Sequence, residues 1–257
     1  MINSQNITDL QKQFKNNPSF TQKDPYNFFR SSDTPKSEAE FLWYIYELKE
    51  KNIIKPIEKG VYQFKQPKKI FEPFINETLH AVHSVLVDDF SSLNTCLWTT
   101  EWLNEFTIHQ SMQNHTLIEV EDEASESVFY HLRDKGFKNV FLKPDALLMN
   151  RYVSEVENPI IILKLLNRSP VVSQQIAKDS VMKRPRLEKI LIDLFCDDIV
   201  FNAYKGNELI AIFSRVLKNY PIHFTTLFAY AERRKRKTAV VEYLDKHFKD
   251  IINEIIV

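Results

Sequence analysis

The fold of the first quarter of the chain is decided by the stretch SEAEFLWYIYELKEKNIIKPIEKGVYQF, residues 37–64. Its first half predicts a helix, because apolar side chains recur at Phe41, Ile45 and Leu48 with helical spacing and would form one buried stripe. The polar run around Ser37 supplies a helix start, and a lysine followed by an asparagine suits the helix end.

The second half of this stretch predicts a β-hairpin. Residues 53–57 and 61–64 are rich in β-branched and aromatic side chains, and the turn between them contains Gly60. A helix followed at once by a two-stranded hairpin is typical of the winged helix-turn-helix. In that module the helix enters a DNA groove and the hairpin, or wing, lies along the DNA backbone.

Outward from this stretch, three regions are predicted. Two short amphipathic segments, residues 6–14 and 20–29, would complete a three-helix winged helix-turn-helix within residues 1–70. Alternating helices and strands predict a small α/β domain in residues 71–170, and amphipathic helices predict a helical region in residues 171–257 that packs on it. The predicted fold class is therefore α+β.

Individual elements of the last two regions can be predicted from their periodicity. The predicted strands are residues 95–98, 116–121, 139–142, 146–152 and 160–166. The predicted helices are residues 71–87, 100–109, 125–135, 186–201, 207–220, 223–236 and 238–256.

Composition excludes several classes of function. The chain has only 3 glycines, whereas P-loops, dinucleotide-binding turns and serine-nucleophile elbows each need closely spaced glycines. Its 2 cysteines have no metal-ligand spacing and are expected to be free thiols. Neither a secretory segment nor a membrane-spanning apolar run is visible. We therefore expect a cytoplasmic, non-enzymatic protein without cofactors.

Charge is distributed unevenly along a chain whose formal net charge is zero. Residues 1–70 carry 12 basic and 8 acidic side chains, residues 71–170 carry 7 and 15, and residues 171–257 carry 15 and 11. A basic, an acidic and a basic segment indicate separate surfaces for separate partners, although short segments also differ by a few charges by chance.

The candidate DNA-binding residues lie on the predicted helix and wing. Lys36, Ser37 and Lys49 belong to the helix and its start, and Lys55 and Lys59 belong to the wing. The same helix also carries four glutamates, which phosphates would repel. A protein-docking module that does not bind DNA is therefore the alternative.

Two basic clusters are candidates for contact with phosphate or with an acidic partner. The alternative for the second cluster is a solvated helix end, where cations are favoured by the helix dipole. The candidate residues are Lys183, Arg184 and Arg186 in the first cluster and Arg233, Arg234, Lys235, Arg236 and Lys237 in the second.

One metal-dependent alternative stays open. Glu119 and Glu121 share one face of a predicted strand, and Asp145 and Lys164 belong to neighbouring strands, as in a metal-dependent nuclease. However, Glu123 stands where such a site would normally carry a lysine. Exposed carboxylates on an edge strand are the simpler interpretation, and we predict no metal site.

Two segments resemble a known family. YELKEKNIIKPIEKGVY, residues 46–62, resembles the N-terminal winged helix of AbiEi-type antitoxins from bacterial abortive-infection toxin–antitoxin systems. RPRLEKILIDLFCD, residues 184–197, resembles a stretch in the C-terminal domain of those antitoxins and of related uncharacterised bacterial proteins.

The resemblance implies a cytoplasmic transcriptional regulator that represses its own operon. Its partners would be operator DNA and a nucleotidyltransferase-type toxin encoded beside it, and the chain itself would have no enzyme activity. The family's DNA contacts would fall on Lys36, Ser37 and Lys49 and on the wing around Lys55 and Lys59. The oligomeric state and the operator sequence do not follow from the resemblance.

Overall fold

A computed structural model describes residues 20–21, 38–50, 53–64, 68–110, 113–177 and 180–256. The chain divides into two compact units, one within residues 1–67 and one spanning Lys68–Ile256. The described residues have an α+β fold, as the sequence predicts. The predicted α/β domain, residues 71–170, and residues 171–256 of the region predicted to pack on it lie together in the second unit.

The secondary structure consists of nine strands and eight α-helices among the described residues. The strands are β1 (Phe20–Thr21), β2 (Ile54–Glu58), β3 (Val61–Phe64), β4 (Thr95–Thr99), β5 (Thr116–Val120), β6 (Val140–Leu142), β7 (Ile160–Lys164), β8 (Val171–Ala177) and β9 (Ser180–Pro185). The helices are α1 (Glu38–Glu50), α2 (Glu77–Asp89), α3 (Ser125–Asp134), α4 (Ala146–Arg151), α5 (Leu187–Cys196), α6 (Asn207–Asn219), α7 (Phe224–Arg233) and α8 (Lys237–Ile256).

In the first unit, the predicted helix and hairpin are both present as α1, β2 and β3. Ile45 and Leu48 are buried, as the helical stripe predicts. Strands β2 and β3 pair antiparallel around Gly60, whose φ of 79° belongs to the left-handed region that glycine adopts without strain.

A third strand completes the sheet of the first unit, in the order β1-β3-β2. Phe20 pairs with Tyr62 on β3, and its ring centroid lies 4.9 Å from that of Phe64. The prediction of a helix starting at Phe20 is therefore wrong for its first two residues, because Phe20 is buried against the wing sheet. The remainder of that predicted helix, and the one at 6–14, lie outside the described residues.

The second unit is built on a four-stranded sheet in the order β4-β5-β7-β6. Strands β5, β7 and β6 are parallel, and β4 pairs antiparallel with β5. Ile160, Ile161 and Ile162 of β7 are all buried, which is typical of a central parallel strand covered on both faces. Helices α2 and α3 pack against this sheet.

Several elements of the second unit differ from the sequence predictions, and the helix predicted at 71–87 begins only at Glu77. Residues 146–152 were predicted as a strand, but α4 forms there because the Asp145 side chain caps it by accepting from the Leu148 amide at 2.8 Å. The predicted helix at 100–109 is only a short 3₁₀ turn. Residues 171–257 are not wholly helical, because β8 and β9 form a hairpin at their start.

The remaining helices, α5 to α8, complete one continuous apolar core with the sheet. Helix α5 is buried on all sides from Leu187 to Leu194. Helix α8 is interrupted at Phe248, whose φ and ψ of −137° and 15° are not helical. Within the described ranges, no helix is both long and apolar enough to cross a membrane.

Candidate functional site

Charged side chains meet where the three parallel strands of the second unit end. Asp122 lies two residues beyond β5, Lys143 follows β6, and Lys164 is the last residue of β7. Parallel strands direct their carboxyl ends to one edge of the sheet, so the topology brings these side chains together. The Asp122 carboxylate accepts a short hydrogen bond from Lys143 and another, of 3.0 Å, from Lys164. We call these three residues the rim.

A cleft lies at the rim. One cavity of about 250 Å³ extends from the rim to the C-terminal end of α5. A second cavity of about 350 Å³ adjoins it at Lys164 and Leu166. The first is lined by Glu119, Lys143, Leu163, Lys164, Leu166, Asp193, Asp197, Phe201 and Arg234. The second is lined by Glu121, Asp122, Glu123, Lys164, Leu165, Leu166, Asn167 and Arg233.

The inner wall of the cleft is a buried ionic cluster, which we call the floor. Lys189 on α5 is fully buried, and its ammonium lies 2.6 Å from the Glu119 carboxylate and 2.5 Å from that of Asp193. The Trp98 indole donates to Glu119 at 3.0 Å, and the Tyr230 hydroxyl donates to Asp193 at 2.9 Å. Each carboxylate of the floor therefore has a charged and a neutral donor.

Burial sets the protonation behaviour of the floor. It raises the pKa of Glu119, and the nearby Lys189 only partly offsets this effect. Burial alone would lower the pKa of Lys189, but Asp193 and Glu119 together raise it well above its ordinary value. The lysine is therefore held in its charged form between two carboxylates.

The rim behaves in the opposite way, because it is open to water. Hydrogen bonds from Lys143 and Lys164 lower the pKa of Asp122. The Asp122 side chain is 40% exposed, and Lys164 is 52% exposed. The rim carboxylate is thus ionised and accessible at the mouth of the cleft.

The floor was not predicted from the sequence. A helix was predicted at residues 186–201, but not the burial of the charged residues Lys189 and Asp193 within it. The detectable signal is Lys189 and Asp193 at i and i+4 in a run whose other residues are almost all apolar. The interpretation of Glu119 as an exposed residue on an edge strand is wrong, because β5 is central and Glu119 is buried.

The predicted DNA-binding residues of the first unit are partly described. Lys36 and Ser37 lie outside the described residues. Lys49 is exposed on α1, and its ammonium lies 4.7 Å from the centre of the Tyr62 ring on the wing. Lys55 is partly buried on β2, and Lys59 is exposed at the hairpin turn.

Helix α1 also exposes large apolar side chains. Leu42, Trp43 and Tyr46 are 50%, 55% and 59% exposed. On the wing, Ile57 is also half exposed. An exposed group of large apolar residues is typical of a surface that another molecule covers.

One residue of the first basic cluster of the second unit, Arg184, has a structural role. Arg184 is only 8% exposed, and its guanidinium donates to Gln174 and to the backbone carbonyls of Phe71 and Pro185. It is therefore not available to a partner, contrary to the prediction. Lys183 donates to Asn94, and Arg186 lies 3.4 Å from Glu188, and both side chains are at least partly exposed.

The second basic cluster, Arg233, Arg234, Lys235, Arg236 and Lys237, is divided by the turn between α7 and α8. Arg233 donates to the Arg168 carbonyl and lines the second cavity, whereas Arg234 turns inward to within 3.8 Å of Asp193. Lys235 has a φ of 56°, which lies in the left-handed region, and it follows the end of α7. Lys237 pairs with Glu232, and Lys235 and Arg236 are exposed.

The carboxylates of the nuclease alternative have separate roles. Glu119 belongs to the floor, Asp145 caps α4, and Glu121 is exposed in the second cavity. Throughout the described part of the chain, no group of three or more histidine, cysteine, aspartate or glutamate side chains is arranged to hold a metal ion.

The sequence model of a family of unknown function, DUF6577, matches residues 40–250. This range includes most of α1, the whole wing and all the residues of the rim and the floor. No curated protein matches the chain.

Proposed function

The chain belongs to the DUF6577 family of unknown function, and we propose that it is a cytoplasmic, DNA-binding transcriptional regulator of the antitoxin type. The observation that carries this proposal is the helix–hairpin arrangement of the first unit, in which the wing β2–β3 directly follows α1. A helix able to enter a groove beside a hairpin able to follow the backbone is the DNA-binding part of a winged helix.

The charges of the wing support contact with a polyanion. Lys55 and Lys59 place two ammonium groups on the hairpin, and Lys49 extends from α1 towards the same sheet. Each lysine that neutralises a phosphate releases a condensed counterion, so binding would weaken steeply as salt increases. The start of α1, with Lys36 and Ser37, would approach the base edges.

An electrophoretic shift assay with the DNA upstream of its own gene tests the proposal. We expect a shift at low salt that weakens in the double variant Lys55→Ala, Lys59→Ala. The slope of log K against log salt should become shallower by about 1 for each lysine removed. The matched control is Lys138→Ala with Lys246→Ala, two exposed lysines of the second unit. An unshifted band at low salt would remove the DNA-binding proposal.

Binding of a partner protein through α1 is the second candidate, and the exposed face of Leu42, Trp43 and Tyr46 favours it. For an antitoxin the partner would be a nucleotidyltransferase-type toxin encoded by an adjacent gene. Trp43 is a natural reporter, because the other two tryptophans, Trp98 and Trp102, are buried.

Co-expression with the product of the adjacent gene tests this second candidate. If α1 binds the partner, acrylamide quenching of the exposed Trp43 should fall in the complex, and Trp43→Glu should prevent co-purification. The matched variant Tyr130→Glu changes another exposed aromatic residue, in the second unit, and should have no effect. If DNA reduces the quenching of Trp43 and the partner protein does not change it, this face of α1 binds DNA instead.

A further inference from the structure

The rim contains two ammonium groups and one carboxylate. Lys143 and Lys164 both bind Asp122, which is the only acidic side chain to which the described contacts join them. This arrangement leaves one positive charge in excess at the mouth of the cleft, where water is the other available partner.

The acidic side chains of the first cavity each have other partners, and none of the described contacts joins them to the lysines of the rim. Glu119 and Asp193 share Lys189 in the floor. Asp197 accepts hydrogen bonds of 2.9 Å from the backbone amides of Ile199 and Val200.

Two arginines extend the positive surface. Arg234 lines the first cavity, and its Nε lies 3.8 Å from Asp193, which is longer than a hydrogen bond. Arg233 lines the second cavity. That cavity is also lined by Glu121, Asp122 and Glu123, so its acidic side chains outnumber its basic ones, whereas three basic and three acidic side chains line the first cavity. An anionic group would be bound best in the first cavity, next to the rim.

The position of the cleft also favours a ligand. Crevices at the carboxyl ends of parallel strands are where open α/β sheets bind small molecules. Cavities of about 250 and 350 Å³ are too small for a folded partner or a nucleic-acid duplex but match a small molecule.

We propose that this cleft binds a small molecule carrying a phosphate group, whose oxygens replace the Asp122 carboxylate between Lys143 and Lys164. A carboxylate ligand would only exchange one single negative charge for another. A phosphate monoester brings a charge of about −1.5 to −2 and three acceptor oxygens, enough to bind both lysines at once. The remainder of the molecule would extend along the second cavity, past Arg233.

Titration of the full chain with inorganic phosphate and pyrophosphate, at constant ionic strength, tests this inference. We expect saturable shifts of the amide resonances of Asp122, Lys143 and Lys164 in two-dimensional NMR spectra. Lys164→Gln should weaken binding by about tenfold or more, because it removes one charge-assisted hydrogen bond. Asp122→Asn should strengthen binding, because it removes the competing anion.

The matched control is Lys138→Gln, which removes the same charge from an exposed site outside the cleft and should leave the affinity unchanged. Lys143 has a φ of 43°, so a variant at Lys164 is preferred to one at this strained position. Linear, unsaturable shifts in the wild type, or an equal loss in Lys138→Gln, would overturn the inference. The result is independent of DNA binding, because Lys55→Ala with Lys59→Ala leaves the cleft intact.

Discussion

The rim and the floor of the cleft are built from the same chemical groups in inverse proportion. The rim places one carboxylate, Asp122, between two lysines, and the floor places one lysine, Lys189, between two carboxylates. The rim is exposed to water, whereas the side chain of Lys189 is completely buried.

This difference shows that exposure to solvent determines what an ion pair contributes to stability. In water, the attraction between charges is screened and an exposed pair contributes little to stability. In the interior, a charge that loses its partner has no water to replace it, so the pair must stay complete. The floor therefore holds α5 against β5, whereas the rim can exchange its carboxylate for a ligand.

The largest expected effect on stability comes from removing the central charge of the floor. Lys189→Ala should lower the free energy of unfolding by about 3–5 kcal/mol, because it leaves Glu119 and Asp193 buried without a counterion. Urea denaturation followed by circular dichroism measures this loss. The matched rim variant, Lys164→Ala, should cost at most about 1 kcal/mol. Similar losses in the two variants would show that burial does not separate the floor from the rim.

A smaller effect is expected from neutralising one carboxylate of the floor. Glu119→Gln keeps an oxygen that can accept from the Trp98 indole, and Asp193 remains to pair with Lys189. The remaining cost, about 1–3 kcal/mol, comes from amide hydrogens that face the buried ammonium without an acceptor. The measurement is the same denaturation experiment. A loss as large as that of Lys189→Ala would contradict the view that the lysine is the central charge of the floor.

The smallest expected effect is on the titration of Glu119 and Asp122, whose pKa values should shift in opposite directions. Burial raises the pKa of Glu119 above its ordinary value of 4.5, and the two lysines lower that of Asp122 below 3.8. Side-chain ¹³C chemical shifts followed against pH measure both. In Lys164→Ala, the pKa of Asp122 should rise towards its ordinary value while that of Glu119 keeps its direction of shift.

The sign of the linked stability follows from these directions. Asp122 contributes stability at pH values above its unfolded pKa, and this contribution is lost as the pH falls through its lowered folded pKa. Glu119 favours the folded state below its unfolded pKa, and this contribution is lost as the pH rises through its raised folded pKa. Shifts of both carboxylates in the same direction would contradict the assignment of one to the interior and the other to solvent.

Local sequence signals were sufficient to predict the elements that are formed by contiguous residues. The α1 helix and the wing follow from apolar spacing, β-branched runs and a turn glycine between residues 41 and 64. Strand β7 follows from a short run of isoleucines. These signals are local because helix and strand periodicities repeat within a few residues.

The candidate site, in contrast, depends on contacts between distant parts of the chain. Asp122, Lys143 and Lys164 are up to 42 residues apart and meet because three parallel strands end at one edge of a sheet. Lys189 and Glu119, 70 residues apart, are joined by an ion pair between α5 and β5. Burial of a charged residue depends on what covers it, and distant segments of the chain provide that cover, so local sequence patterns do not reveal it.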